Sequence, residues 1–310
     1  MPDPRSRSGS SYTGPVSETT TQPQTALPRT AMIGVGSMGG AILAGLRDPG
    51  VAIARPIAVT THSAASAAQF AGAADVTAVA VADDAEANRR AVAGAGLVIL
   101  AVKPWLVVDA AREIAEALDP GAVVVSVAAG VPSAAIEAVL PGGIAVVRAM
   151  PNTPAHLGRG MTGIAGGASA DAAALALVQR LFETVGQVLV VPESQINDVA
   201  AVSGSGPAYL FYYVEEMIGA AERRGFTPEA ARQLVQQTVL GAAELLDTSG
   251  EDAAQLRRNV TSPKGTTEQA IFVLQDAGWA ELFDRALAAN VRRSEELEGN
   301  SPACRPAGSP

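Results

Sequence analysis

The sequence is poor in the side chains that most often do chemistry. It has one cysteine, Cys304, and two histidines, His62 and His156. A single thiol builds no disulfide framework, which reads as a reducing compartment, the cytoplasm. Neither histidine has a cysteine or carboxylate at ligand spacing, so no metal site is expected. A Ser-His-Asp arrangement would have to recruit His156 from a loop after Pro154-Ala155, and is set aside. Lysine is as scarce: of 22 basic residues only Lys103 and Lys264 are lysine. The net charge is −9 with no block of basic residues, which argues against nucleic acid and anionic membranes as partners. The longest apolar runs are broken by Lys103, Pro104 or glycine and fall short of a membrane span.

What the chain does have is apolar residues (48%) and glycine, 31 of 310 positions. That is enough for real cores and suggests two domains. Residues 1–29, rich in Ser, Thr, Pro and Gly, and residues 298–310 read as disordered tails. Residues 30–192 alternate short apolar runs with helical stretches. "TAMIGV", "PIAVT", "GLVILAV", "AVVVSVAAG", "IAVVRAM" and "QVLVV" read as strands, with helices at "SMGGAILAGLRD", Ser63–Ala71 and "PWLVVDAAREIAEAL". Continuous Val/Ile/Leu runs are the mark of a mostly parallel sheet covered on both faces, a doubly wound Rossmann-like domain.

The first strand–helix turn is Gly34-Val35-Gly36-Ser37-Met38-Gly39, a G-x-G-x-x-G in the context that gives the pattern meaning. Gly34 permits the tight turn, Gly36 admits a pyrophosphate to the backbone, and Gly39 lets the helix pack on the strand. The plain alternative is a glycine-rich turn that binds nothing. The next strand ends in Thr60-Thr61-His62-Ser63, where NAD-preferring folds carry an acid for the ribose 2′-hydroxyl. Hydroxyls there repel nothing, so NADPH is the expected cofactor, with NADH possible.

Beyond Pro192 the periodicity turns helical, and residues 193–297 read as an all-helical dimerisation domain. Ser203-Gly204-Ser205-Gly206 is small enough for close helix approach, and "TVLGAAELL" is apolar on a wide face, suited to a second copy or to an internal core. The stretch "NVTSPKGTTEQAI" (259–271) gathers hydroxyls at a helix start. Ser262, Thr266 or Thr267 could each cap that helix, and its free N–H groups would welcome an anion. Lys264 stands oddly there, since a cation in a first turn opposes the dipole by roughly 0.3–1 kcal/mol. Our reading gives it an ordinary φ and a side chain turned to solvent, not to a ligand. With no strong acid or base nearby, the site suits reduction of an already electrophilic carbon.

These pieces together resemble the pyrroline-5-carboxylate reductase family. The matching segments are "IGVGSMGGAI" (33–42), "AVKP" (101–104), "SVAAG" (126–130), "RAMPNTP" (148–154), "AVSGSGPAY" (201–209) and "NVTSPKGTTEQA" (259–270). The resemblance implies NADPH on Gly34–Gly39, with Asn88 and Ala101-Val102-Lys103-Pro104 around adenosine and phosphates. It puts Val127, Ala128 and Ala129 near the nicotinamide. It carries a cofactor contact to Asn259 and substrate contacts to Glu193, Ser262, Gly265, Thr266 and Thr267, with Thr267 the catalytic candidate. The substrate it implies is L-1-pyrroline-5-carboxylate, reduced to L-proline across an interleaved homodimer, often built into a decamer. Lys264 departs from the family, replacing the first residue of a Gly-Gly pair. Another imine or β-hydroxyacid reductase, or a non-catalytic dinucleotide-binding dimer, stays open as an alternative.

Overall fold

The computed structural model describes residues 26–300. Strand β1 (Thr30–Ile33) leads into α1 (Ser37–Leu46), β2 (Ile57–Thr61) into α2 (Ala64–Ala68), and β3 (Val76–Ala80) into α3 (Ala87–Val92). After β4 (Leu97–Leu100), a 3-10 turn at Pro104–Leu106 opens α4 (Val107–Ile114), and β5 (Val123–Ser126) precedes α5 (Ser133–Glu137). Then come β6 (Ala145–Met150), β7 (Gly160–Gly166), α6 (Ala172–Glu183) and β8 (Gly186–Val190). The strands form one eight-stranded sheet in the order β3-β2-β1-β4-β5-β6-β7-β8. Every neighbouring pair is parallel except β6 and β7.

The continuous apolar runs are explained by burial on both faces. In β4, Leu97 and Ile99 join the cluster under α1 and α6, with Met32, Ile42, Leu43, Leu181 and Phe182. Val98 and Leu100 point the other way, toward Val92, Val107, Ala111 and Ile114 of α3 and α4. Successive strand residues face opposite sides, so a strand between two helical layers needs an apolar residue at every position. Each buried Val, Leu or Ile contributes about 1.5–3 kcal/mol, which makes β4 and its neighbours the firmest part of the molecule.

Two strands escape the apolar-run reading. β3 is an edge strand whose middle three residues are not buried, so its sequence, VTAVA, is weakly apolar. β7, GMTGIAG, carries three glycines, and the helix that follows β8 requires one of them. A Cβ on Gly163 would lie 2.6 Å from Val199 Cγ1. Glycine inside a strand marks such a close approach.

The tail boundaries are also corrected. Leu27 is buried and bridges Ile53, with its N–H bonded to Ala52 O and its carbonyl to Ala54 N. Residues 27–29 therefore belong to the sheet domain. At the other end Glu298 is helical and ion-paired to Arg148, so the terminal helix continues beyond residue 297. Residues 1–25 and Cys304 lie outside the described residues.

The helical half comprises α7 (Ile196–Val199), a π turn at Ala200–Gly204, α8 (Gly206–Arg223), α9 (Pro228–Thr248), α10 (Ala253–Asn259), α11 (Thr266–Asp276) and α12 (Trp279–Asn300). Thr227 and Asp252 cap α9 and α10 by accepting the N–H groups of Ala230 and Gln255, with Pro228 at the first helical position. The "SGSG" segment serves the chain's own packing. A Cβ on Gly204 would meet Met150 Cε at 2.9 Å, Asn152 Nδ2 donates to Ser203 O, and Asn290 Nδ2 donates to Ser205 Oγ and Tyr209 Oη. None of the described helices is long and apolar enough to cross a membrane.

Candidate active site

A cleft of about 840 Å³ opens along the C-terminal ends of β1, β2, β4 and β5. Its floor is Gly34, Val35, Gly36, Ser37, Met38 and Gly39. Gly34 has φ 89°, and a Cβ there would strike Val102 Cγ1 at 2.9 Å and Ala101 O at 3.0 Å. Gly39 is held equally close to Gly34 O, whereas nothing stands within 4 Å of a Cβ on Gly36. The glycines thus do different work: two permit packing and one leaves the backbone open to a ligand. α1 starts at Ser37 with no side-chain cap and no acid in its first turn. Its leading N–H groups are free for an anion such as a pyrophosphate, so the residues present fit a dinucleotide.

Around that floor the cleft brings together Thr60, Thr61, Asn88, Ala101, Val102, Lys103, Pro104, Val127, Ala128 and Ala129. Every residue expected at the cofactor lines it except Asn259. The β2 end differs in detail from expectation. Thr61 Oγ1 donates to Ser63 O at 3.0 Å and Ser63 Oγ caps α2, so both hydroxyls are already engaged. His62 and Ser66 also line the cleft, and neither β2 nor the turn after it carries an acid. Glu113, Asp109, Ala110 and Leu106, on α4 and the turn before it, complete the wall. Sequence reading missed these because nothing in an amphipathic helix says which polar face borders a ligand. It also missed His156, whose Nε2 lies 3.2 Å from Ser37 Oγ at the start of α1.

The second group of expected residues stands apart from the cleft in the single chain. Asn259, the last residue of α10, donates to Glu251 Oε2 and accepts from Gln255 Nε2, both at 2.7 Å. Glu193 opens a 3-10 turn after β8. Its carboxylate accepts from the N–H and Oγ of Ser133 (2.7 and 2.5 Å) and pairs with Arg148 at 3.3 Å. Arg148 is buried and also pairs with Glu298 at 3.1 Å. Nearby, a Cβ on Gly130 would be 3.4 Å from Leu297 Cβ, so α12 ends against the loop that follows Ala129.

The 259–271 stretch departs from expectation twice. Lys264 does not have an ordinary φ: at 61° it is the one non-glycine residue with positive φ among the described residues. A Lys264 N–H to Glu268 Oε2 bond of 2.8 Å holds the turn. That is why glycine suits this position. The N-cap of α11 is Gly265, with no side-chain cap bond, so Ser262, Thr266 and Thr267 do not cap the helix. A Cβ on Gly265 would collide with Ser262 Oγ, so the serine hydroxyl sits directly over the glycine. Thr266 and Thr267 are the first two helical residues, and their N–H groups have no partner in the helix.

Sheet, glycine turn and cleft define a dinucleotide-binding oxidoreductase of the doubly wound α/β class. Residues 29–130 match the family described as NADP oxidoreductase, coenzyme F420-dependent, and residues 193–297 match pyrroline-5-carboxylate reductase dimerisation. A pyrroline-5-carboxylate reductase of Pseudomonas aeruginosa is 42% identical over 271 residues, covering 87% of this chain and 97% of that one. One from Corynebacterium melassecola is 43% identical over 213 residues, covering 68% of this chain and 79% of that one. The solved structure of the Coxiella burnetii pyrroline-5-carboxylate reductase superposes with a TM-score of 0.79 at 38% identity, covering 87% of this chain and 98% of that one. The chain belongs to the pyrroline-5-carboxylate reductase family.

Proposed function

We propose that the protein reduces L-1-pyrroline-5-carboxylate to L-proline with NADPH, in the cytoplasm, as a homodimer whose two chains share each site. One observation carries this reading. The loop with the free hydroxyls and the uncapped helix start is absent from the lining of the cleft, and large apolar side chains stand unpartnered on the helices around it. Phe211 is 67% exposed, Leu240 64% and Val273 68%. α8 and α11 bury no residue and α9 only Ala231 and Val235, which is what helices look like before a second copy covers them. A partner's α11 would then close the cleft. The resemblance extends the proposal to decamers built from such dimers.

The substrate is a cyclic imine with a carboxylate. Backbone N–H groups of Thr266 and Thr267, at the positive end of α11, hold the carboxylate, while the Gly265 N–H is already bonded to Ser262 O and shapes the turn beneath it. Thr267 Oγ1 contacts the ring nitrogen and orients the protonated imine, whose C=N carbon (C2 of the pyrroline, C5 of the product proline) is electrophilic. A bound reduced nicotinamide would supply the hydride that this carbon accepts, turning the C=N bond into the C–N bond of proline. Val127–Ala129 and the α11 turn fix donor and acceptor faces, and orientation supplies most of the acceleration. β2 and the turn after it carry no acid to oppose a 2′-phosphate, while Ser66 and His62 can donate to one, which supports NADPH over NADH.

The test is oxidation of NADPH and of NADH by purified protein on addition of pyrroline-5-carboxylate. Turnover with a lower KM for NADPH is expected. Cofactor binding without turnover would leave a non-catalytic dimer, and faster turnover of a β-hydroxyacid would move the protein to a different reaction. Efficiency greater with NADH would overturn the reading of the β2 end.

A further inference from the structure

We propose that Glu113 is a specificity residue for the base of the cofactor, selecting adenine through its exocyclic amine. The inference rests on the cofactor reading of the cleft. Glu113 lies on α4 and borders the cleft. Its Oε2 accepts Asn88 Nδ2 at 2.9 Å. Among the described residues no cation pairs with it: Arg112 pairs with Asp109, and Arg89 pairs with Glu86 and Glu116 and spends its Nε on the backbone carbonyl of Glu113. An uncompensated carboxylate in a cleft for an anionic dinucleotide is unfavourable unless the ligand offers it a hydrogen-bond donor.

Position decides which donor. The glycine turn takes the pyrophosphate and Val127–Ala129 border the nicotinamide end. The rest of the lining is Val81, Leu106 and Ala110 with the polar groups Thr60, Thr61, His62 and Ser66 from β2 onward and Asn88, Asp109 and Glu113 from α3 and α4, and Asp109 is already paired with Arg112. That is an apolar slot with an acceptor at its edge, a fit for a purine bearing an amine. The Asn88 amide adds an independent sign. Asn88 is 7% exposed, and its Oδ1 is buried without a partner. Rotating the amide would set two oxygens against each other, so Glu113 fixes its orientation. Asn88 is a positioning residue that holds the carboxylate, and Glu113 contacts the base. A 6-oxo purine would place acceptor against acceptor.

The experiment compares Kd values of the full-length protein for NADPH and for its hypoxanthine analogue, read from nicotinamide fluorescence without substrate. The 6-oxo cofactor is expected to bind about tenfold more weakly or worse, the loss of a hydrogen bond to a charged group. Glu113→Gln can turn an N–H toward a 6-oxo group and should narrow the ratio to below about threefold. Glu113→Ala should narrow it too, through weaker NADPH binding. A wild-type ratio under about threefold, or an unchanged ratio in both variants with only a lower Tm, overturns the proposal and leaves Glu113 a helix tie. The wild-type ratio decides alone if the variants do not fold. Failure of NADPH itself to bind would sink the cofactor reading, whereas tight NADPH binding indifferent to the base sinks only this inference.

Discussion

Glu268 Oε2 accepts the backbone N–H of Lys264 at 2.8 Å, and the turn it closes keeps Lys264 at a φ of 61°. A side chain in that region costs roughly 1–2 kcal/mol, while glycine gives back about 0.5–1 kcal/mol in chain entropy. Lys264→Gly should therefore raise Tm slightly, and Lys264→Val, β-branched, should lower it. The Lys264 side chain is exposed in the single chain, and Lys264→Gly should change kcat and both KM values by less than about threefold. Thermal melts and steady-state kinetics check this. A tenfold rise in a KM that fades with added salt would place the cation on a ligand.

Thr267 does not cap α11, so its hydroxyl can be removed without loss of a helix bond. Thr267→Ala should lower kcat/KM by roughly ten- to a hundred-fold, the loss of a bond to a charged group worth about 1.5–3 kcal/mol. Tm and NADPH affinity should stay unchanged. A variant within twofold of the wild type would remove the threonine from the reaction.

Gly241 lies inside α9, and a Cβ placed on it would have nothing within 4 Å in its own chain. Glycine costs a helix about 0.8–1 kcal/mol against alanine, so the single chain gains nothing from it. Gly241→Leu should leave the protomer folded, dissociate the dimer and abolish activity together. Light scattering alongside an activity assay reads both, and an active monomer of either form would refute the shared site.

Asp75 accepts hydrogen bonds from Arg47 (2.8 Å) and Arg55 (3.3 Å), joining β3 to the end of α1. Chiefly the Arg47 hydrogen bond holds its carboxyl below the usual range, aided by the charges of Arg47 and Arg55 and opposed by desolvation. A depressed folded-state pKa stabilises above the unfolded value and is lost as pH falls through the folded one. Asp75→Asn should therefore melt below the wild type at neutral pH, with the gap closing under acid. A gap that persists once carboxylates are protonated would point to packing instead.

The cleft was legible because its residues sit in short local motifs: Gly34–Gly39 spans one turn, and Ala101–Pro104 and Val127–Ala129 follow strands that apolar runs betray. β3 and β7 were not legible. One is an edge, and the other is built around Gly163, whose reason, Val199, lies far along the chain. The backbone of Lys264 was misread because a residue type says little about φ when its neighbours enforce the turn. Glu113 was invisible for another reason: its partner Asn88 lies on a different helix, and periodicity carries no information across helices.

Arg148 holds the sheet to the far end of the chain through Glu298, next to the point where Leu297 meets Gly130. Synthesis runs from the other end. The last strand is complete at Val190, so on the ribosome the sheet can form while α12 does not yet exist. In that interval Arg148 has Glu193 alone, and the loop that follows Val127–Ala129 lacks its brace. Every residue that lines the cleft, from Ile33 to Ala129, is therefore made long before the helix that braces the loop after it.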